Sequence, residues 1–190
     1  MSAVLEYPQR HAISAVEYLR MGEGGVFAPE ARLELIEGEI VERAPIGSPH
    51  AGMVNTLIWV FSRAAGDLAV VAAQNPLVVG DRSVPQPDVM LLRARADRYS
   101  RSHPTPADVL LLVEVSDTTL PFDLGTKIPL YARCGITEAW LIDLNERAVR
   151  VFRDPGPSGY RASFTLQGDG SVTALALPAI VVPVATLFPA

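Results

Sequence analysis

The order of its predicted elements indicates an α/β or α+β protein with one curved sheet. Two observations carry that prediction. Short apolar segments bounded by turn residues recur along the chain and are typical of strands, and three helical patterns interrupt them, the last between two groups of strands. The 190 residues are 49% hydrophobic and 19% charged, which is typical of an ordered globular chain. We expect residues 1–190 to form a single domain.

The first part of the chain is predicted to form two helices and a hairpin. Residues 14–17 match a capping box, which predicts a helix over residues 15–21. The turn dipeptide Glu37-Gly38 separates two strand-like segments and predicts a hairpin over residues 33–42. Ser48-Pro49 is typical of the start of a second helix. The buried stripe of that helix is predicted from helical spacing and comprises Met53, Leu57, Val60, Phe61 and Ala64.

The rest of the chain is predicted to be rich in strands. They are expected at residues 68–72, 76–79, 88–92, 108–116, 139–144, 148–153, 160–164 and 171–175. The strand at 108–116 is the most apolar, and we expect it at the centre of the sheet. A helix is predicted over residues 126–133, because Pro129 fits only the first turn of a helix and Gly135 is a typical stop.

Composition limits the class of protein. The net charge of −5 leaves no global basic field that would attract nucleic acid. The single cysteine, Cys134, excludes an intrachain disulfide and a cysteine-cluster metal site, and it fits a reducing compartment. The N-terminus carries charged residues from Glu6 onward, so we expect no signal peptide. We therefore expect a cytoplasmic protein.

The uncharged C-terminal stretch, residues 173–190, raises the question of a membrane span. Three prolines interrupt it, and it falls short of the ~20 continuous apolar residues that a spanning helix needs. We expect instead a buried strand followed by a docked terminal turn, and no membrane association.

Lys127 is the single lysine among 16 basic residues. Arg is a planar fork that stays protonated, whereas Lys is a compact charge whose pKa can shift. A lysine that persists in such an arginine-rich composition is a candidate for a site where guanidinium cannot replace it. The alternative is a solvated lysine that remains by chance.

Two carboxylates strengthen the case for a site. Glu114 lies in the apolar run 109–115, on a face that the period-two rule shares with Leu110 and Leu112. An ionised carboxylate there costs several kcal/mol unless it is paired or coordinates a metal; the alternative is that Glu114 reaches solvent or an arginine. Asp88 begins another apolar strand. Two hard oxygen ligands and one cation suit Mg²⁺ and phosphate chemistry.

Several motifs, in this order, resemble one family. They are Leu35-Ile36-Glu37-Gly38-Glu39, Ser48-Pro49-His50, Gln86-Pro87-Asp88-Val89, Leu112-Val113-Glu114-Val115-Ser116, Asp123-Leu124-Gly125-Thr126-Lys127 with Leu130-Tyr131-Ala132, and Gly135-Ile136-Thr137-Glu138-Ala139-Trp140 with Asp143. From about Ala12 to the C-terminus the chain resembles the Uma-two family of "putative restriction endonucleases", part of the PD-(D/E)XK nuclease superfamily. The resemblance implies a restriction-endonuclease-like fold, with a curved mixed central sheet flanked by helices.

The resemblance also implies the roles of particular residues. Asp88 and Glu114 would bind Mg²⁺, or Mn²⁺, with the Val115 carbonyl as a third ligand. Lys127 would be the catalytic lysine. The superfamily usually places that lysine two residues after the Glu, where this chain has Ser116. In the Uma-two family the lysine comes from the following helix, which is where Lys127 falls.

Further residues are weaker candidates. By the resemblance, Glu39 and His50 would support the metal site; the alternative for His50 is a helix-start residue bonded to backbone or water. The basic cluster of Arg93, Arg95, Arg98 and Arg101, with Tyr99 among them, could contact a phosphate backbone and a base. A solvated arginine-rich loop is the other interpretation of that cluster.

Three functions remain open at this point. The first is a Mg²⁺-dependent endonuclease that hydrolyses DNA. The second is a nuclease-fold binding or assembly module without turnover, and the third is a metal-dependent hydrolase of a small phosphoester. We expect a homodimer, because one acidic subunit offers little basic surface for DNA and nucleases of this superfamily commonly cut as pairs. Residues 174–190 could supply the contact or lie in their own core.

Overall fold

The computed structural model describes residues 10–188 and shows a mixed α/β fold. The helices are α1 (Ala15–Glu23), α2 (Ser48–Ala65), α3 (Leu120–Phe122), α4 (Ile128–Arg133) and α5 (Val184–Leu187), and a π-helical turn, Asp123–Lys127, joins α3 to α4. The strands are β1 (Leu33–Ile36), β2 (Glu39–Glu42), β3 (Ala69–Ala73), β4 (Val89–Arg93), β5 (Val109–Ser116), β6 (Glu138–Asp143), β7 (Ala148–Gly156), β8 (Gly159–Gln167), β9 (Ser171–Thr173) and β10 (Val181–Pro183).

Six strands form the central sheet, in the order β3-β4-β5-β6-β7-β8. Neighbouring strands are antiparallel except β5 and β6, which are parallel. A parallel pair needs a crossover connection, and here α3, the π turn and α4 provide it. The predicted mixed sheet flanked by helices is confirmed. The hairpin β1-β2 and the pair β9-β10 form separate two-stranded sheets.

The central sheet separates two hydrophobic layers. On one face, Phe61 of α2 packs with Val113 and Trp140, and the rings of Phe61 and Trp140 lie 6.0 Å apart. On the other face, Tyr131 of α4 packs with Leu112. Strand β5 lies between the two layers, so alternate side chains along β5 enter different cores.

The predicted stripe of α2 is correct for most of its length. Met53, Leu57 and Phe61 are buried, while Val60 is half-buried. The prediction of Ala64 is wrong: Ala64 is exposed and Ala65 is buried. Leu57, Phe61 and Ala65 are spaced four residues apart and lie on the same face of the helix. Ala64 is three residues after Phe61 and points away from the sheet.

The prediction that Glu114 shares a face with both Leu110 and Leu112 is wrong for Leu110, because β5 contains a bulge. Leu91 pairs with Leu111 and Leu92 with Val109, so Leu110 is an extra residue without a partner on β4. Leu110 therefore packs with the α2 layer, whereas Leu112 packs with the α4 layer. Beyond the bulge the alternation is regular, and Glu114 follows Leu112 toward α4.

The predicted strand at residues 76–79 is wrong. Leu77 and Val79 are buried as a strand would require, and the Leu77 amide donates to the carbonyl of Pro85. The facing segment contains Pro85 and Pro87, which have no N–H to donate. The ladder therefore cannot continue, and the segment is an irregular loop that still contributes to the core.

The helix predicted to begin near Thr126 begins earlier. The chain is already helical from Leu120, and the amide of Ile128 donates to the carbonyl of Asp123, five residues back. Pro129 lies just after this wider turn, where its missing N–H would interrupt an ordinary α-helical ladder. The π turn accommodates the proline and sets the position of Lys127.

The described part of the C-terminal stretch packs on its own domain. Ala174, Ile180, Val182 and Leu187 are buried in the layer that contains α2. The predicted buried strand and docked turn correspond to β10 and α5. Pro189, Ala190 and the N-terminal Glu6 lie outside the described residues. Among residues 10–188, no helix has the length and apolar character needed to cross a membrane.

Replacing Phe61 by Ala tests the α2 layer. The ring is fully buried against the sheet, so Phe61→Ala should lower the free energy of unfolding by about 3–5 kcal/mol. Trp59 on the same helix is 58% exposed, and Trp59→Ala should change it by no more than about 0.5 kcal/mol. Urea unfolding measures both, and equal losses would contradict the assignment of the buried face.

Candidate active site

Strands β4 and β5 bring the two predicted carboxylates together. Val89 pairs with Val113 in the antiparallel register, so the next residues outward, Asp88 and Glu114, lie at the same edge of the sheet. Both side chains are buried, at 0% and 1% exposed. Fully buried acids are rare unless they are paired or functional, so this edge is the first candidate for a site.

Lys127 reaches this edge from the end of the π turn. Its Nζ lies 2.7 Å from Oε1 of Glu114 and 3.3 Å from Oε1 of Glu34, and the side chain is 1% exposed. The structure thus places Lys127 directly beside Glu114, although it comes from a different element. The interpretation of Lys127 as a chance solvated residue is wrong.

Glu34 of β1 is a third acid of this cluster, and sequence reasoning missed it. It is fully buried, and its Oε1 accepts hydrogen bonds from the Gln86 amide at 2.9 Å and from Arg43 at 3.2 Å. The predicted hairpin acid, Glu39, is exposed beside the turn at the other end of the hairpin. The signal that could have identified Glu34 is the one that identified Glu114, a carboxylate between apolar strand residues.

Four groups surround the carboxylate of Asp88. The Val115 amide donates to Oδ2 at 2.9 Å, and His50 Nε2 lies 3.1 Å from the same oxygen. Gln74 donates to Oδ1 at 3.4 Å, and an Arg43 nitrogen lies 3.7 Å from it. The structure therefore brings His50 and Val115 to the cluster, Val115 through its N–H. A role for the Val115 carbonyl as a ligand stays a prediction.

The two carboxylates have different electrostatic environments. Burial opposes ionisation of Asp88, but the His50 hydrogen bond and the charges of Arg43, His50 and Lys127 outweigh it and lower the pKa to about 2. Burial raises the pKa of Glu114 to about 8, against the attraction of Lys127 and with repulsion from Asp88. For Lys127, burial opposes the charge, yet Glu114 and Glu34 raise its pKa above the ordinary value. Lys127 is therefore an ammonium at neutral pH.

Tyr131 and Asp123 order the site from α4 and the π turn. The Tyr131 hydroxyl donates to Oε1 of Glu114 at 2.5 Å. Asp123 accepts hydrogen bonds from Ser116 at 2.6 Å and from Thr119 at 2.7 Å. These contacts tie the start of the π turn to β5 and to Thr119.

Two carboxylate oxygens in this cluster are buried and have no hydrogen-bond partner. They are Oε2 of Glu34 and Oε2 of Glu114, and Nδ1 of His50 is a third unpartnered atom. Buried polar atoms without partners are few in folded proteins, and each calls for an explanation such as a bound ion. In residues 10–188 no three His, Cys, Asp or Glu side chains are grouped closely enough to hold a metal by themselves. A pair of carboxylates still fits Mg²⁺, which keeps waters and phosphate oxygens as further ligands.

A cleft of about 460 Å³ leads from the surface to this cluster. Its walls come from the stretch that follows β2 and from the segment that leads into the π turn, and Arg43, His50 and Lys127 are among its lining residues. Asp88 and Glu114 do not line the cleft themselves, but they contact His50 and Lys127, which do. The candidate site is therefore a buried acidic pair behind basic side chains, in a cleft that Glu42, Asp117 and Asp123 also line.

The arginine cluster lies away from the site. Strand β4 begins next to Asp88 and ends at Arg93, so the loop that follows is at the opposite end of the strand. Arg95 pairs with Asp97 at 2.5 Å and lies 3.9 Å from the Tyr99 ring centroid. A cavity of about 630 Å³ borders this loop, but no buried acid lines it. The structure does not bring these arginines to the carboxylates, and a DNA contact there stays a prediction.

The mixed six-stranded sheet flanked by helices defines a protein with a nuclease-like fold. The chain belongs to the Uma2 family, described as "Putative restriction endonuclease", whose profile matches residues 15–185. A solved structure with the same fold is described as a "putative nuclease belonging to DUF820" from Anabaena variabilis ATCC 29413. It is 19% identical, the match covers 93% of this chain and 97% of that chain, and the TM-score is 0.71. No curated protein matches the chain. The predicted family and fold are confirmed.

The raised pKa of Glu114 predicts a pH-dependent cost. A carboxyl whose pKa is higher in the folded state holds its proton more tightly there, so the stability it adds below the unfolded pKa is lost as pH rises toward about 8. Between the ordinary carboxyl pKa of 4.5 and a pH of about 8, the wild-type chain should lose free energy of unfolding relative to Glu114→Gln, by up to about 1.4 kcal/mol per pH unit. Urea unfolding of both chains across that window measures the difference, and parallel pH profiles would contradict the shift.

Proposed function

We propose that this protein is a Mg²⁺-dependent endonuclease that hydrolyses phosphodiester bonds in DNA. The family and the structural neighbour both support a nuclease. The observation that carries the finer proposal is the convergence of Asp88, Glu114 and Lys127 from separate elements in one buried cluster with unpartnered carboxylate oxygens. In this cluster Asp88 and Glu114 would be the metal ligands, and Lys127 would be the cation beside the reacting phosphate.

Asp88 and Glu114 would hold the metal, with the Val115 carbonyl as a further ligand. The bound ion would polarise a phosphoryl oxygen and lower the pKa of a water molecule. Asp88 is already ionised at neutral pH, whereas Glu114 would give up a proton on binding. Mn²⁺ is the natural substitute, because it accepts the same oxygen ligands.

Lys127 would act as an ammonium rather than as a base. Its pKa is raised by Glu114 and Glu34, so it carries a proton that it can donate in hydrogen bonds. In that form it would orient the attacking water and stabilise the negative charge that develops on the phosphate. His50 and Arg43 would position Asp88, and Tyr131 would position Glu114.

A binding module without turnover is the second candidate. One observation favours it, namely that the Lys127 ammonium already lies 2.7 Å from Glu114, so the acidic pair has a partner without any metal. A hydrolase of a small phosphoester is the third, favoured by a cleft in the volume range of small-molecule sites. A homodimer, a cytoplasmic location and DNA contact through the Arg93–Arg101 loop stay predictions.

Variants of the three residues test the nuclease proposal. Asp88→Asn, Glu114→Gln and Lys127→Met should each lower cleavage of plasmid and single-stranded DNA in Mg²⁺ or Mn²⁺ by at least about a hundredfold. Glu138→Gln is the matched control, because Glu138 is a buried acid that bonds Trp140 within the α2 layer. Activity that survives in Asp88→Asn or Lys127→Met, or that Glu138→Gln loses equally, would refute the assignment.

Calorimetry separates metal binding from turnover. Asp88→Asn should abolish the binding of Mg²⁺ or Mn²⁺, because it removes one of two carboxylate ligands. Lys127→Met should retain metal binding, since it removes a competing cation and no ligand. If the wild-type chain takes up neither ion, the binding module becomes the better hypothesis.

A further inference from the structure

The depth of the candidate site limits which form of DNA can reach it. The carboxylates of Asp88 and Glu114 are at most 1% exposed, and Lys127, which covers Glu114, is exposed by the same small fraction. The cleft touches Lys127, His50 and Arg43 at its inner end. A scissile phosphate must therefore enter the cleft to reach the acids.

The cleft is too small for a double helix. Its volume of about 460 Å³ equals a cube of roughly 8 Å on a side and falls within the range of small-molecule sites. A double helix, of which the major groove alone spans about 12 Å, is wider than such a site and cannot enter it whole. One nucleotide unit of an unpaired strand is the part of a DNA chain that matches this space.

The lining of the cleft has two chemical characters that fit a nucleotide. Arg32, Arg43 and Lys127 line it and supply positive charge for a phosphate, beside the acids Glu42, Asp117 and Asp123 of the same lining. Phe122 lines the other wall and is half-buried, and Ile46, which is 38% exposed, faces the same cleft. Aromatic and apolar faces of this kind stack with unpaired bases of any sequence.

We propose that the substrate is an unpaired DNA strand, one nucleotide of which occupies this cleft with its base against Phe122. The proposal rests on the nuclease function proposed above and narrows its substrate class. Duplex DNA would have to open locally before its phosphate reached the acids. Arg32 and Arg43 would hold the backbone, while Phe122 would hold the base.

Equilibrium binding tests this without turnover. Fluorescein-labelled oligonucleotides of one sequence, single-stranded and duplex, are titrated with the full chain at low salt in the absence of divalent metal, which keeps them intact. We expect the single strand to bind at least tenfold more tightly than the duplex. Phe122→Ala should weaken single-strand binding by about 5- to 150-fold, the effect of losing one base stack, and Phe122→Trp should restore most of it.

Phe164→Ala is the matched control. Phe164 is an exposed aromatic of β8 that lies near Arg153 rather than in the cleft, so its removal should leave binding unchanged. Thermal unfolding of each variant checks that Phe122→Ala remains folded. If Phe122→Ala does not fold, single-strand binding by Phe122→Trp is compared with that of the wild-type chain instead.

Some outcomes would overturn only the proposal of an unpaired-strand substrate, and others would overturn the proposed nuclease function. Equal affinity for duplex and single strand, or equal affinity of Phe122→Ala and wild type, would overturn the unpaired-strand proposal. So would turnover of a small diester such as bis(p-nitrophenyl) phosphate with no preference for an oligonucleotide. Preferential single-strand binding without cleavage in Mg²⁺ would instead keep the cleft assignment and overturn the nuclease function.

Discussion

The buried contact between Lys127 and Glu114, 2.7 Å apart, is the interaction on which the arrangement of the site depends. Neither group tolerates burial alone, because an isolated charge in the interior costs several kcal/mol. Lys127 lies within ion-pair distance of both Glu114 and Glu34, which come from β5 and β1. One side chain therefore fixes the hairpin, the central strand and the crossover helix relative to one another.

The neighbouring carboxylate has a different kind of support. Asp88 is held by a backbone amide, a histidine and a guanidinium, which together keep its pKa low. Glu114 has a lysine and a tyrosine hydroxyl on one oxygen and nothing on the other. The pair thus combines one acid that is ionised at neutral pH with one whose charge depends on what binds beside it. This difference is characteristic of functional sites, where the environment separates the pKa values of adjacent acids.

The sequence predicted the central part of this site because charged residues interrupt apolar strands there. Glu114 and Asp88 were recognisable for that reason, and Lys127 because it is the single lysine. Glu34 carries the same signal in a strand of only four residues, which is too short to distinguish from an exposed hairpin. Arg43 gave no signal, since its partners come from β1 and from the start of β4.

The errors in the fold have local causes of the same kind. Residues 76–79 have the apolar pattern of a strand, but the prolines opposite them cannot complete a ladder. The helix start was placed by the rule that proline belongs in a first turn, which assumes α-helical spacing. The π turn breaks that assumption, and only the backbone geometry shows it.

Ser116 of β5 and Lys127 are connected through Asp123. The resemblance to the nuclease superfamily would place a lysine two residues after Glu114, and this chain has Ser116 there. Its hydroxyl donates to Asp123, the first residue of the π turn that ends at Lys127. Strand β5 is therefore linked to the segment that carries the ammonium by one hydrogen bond and one π turn. A lysine placed in this way is held by the crossover that links the parallel strands, so its position depends on the packing of that segment as much as on β5.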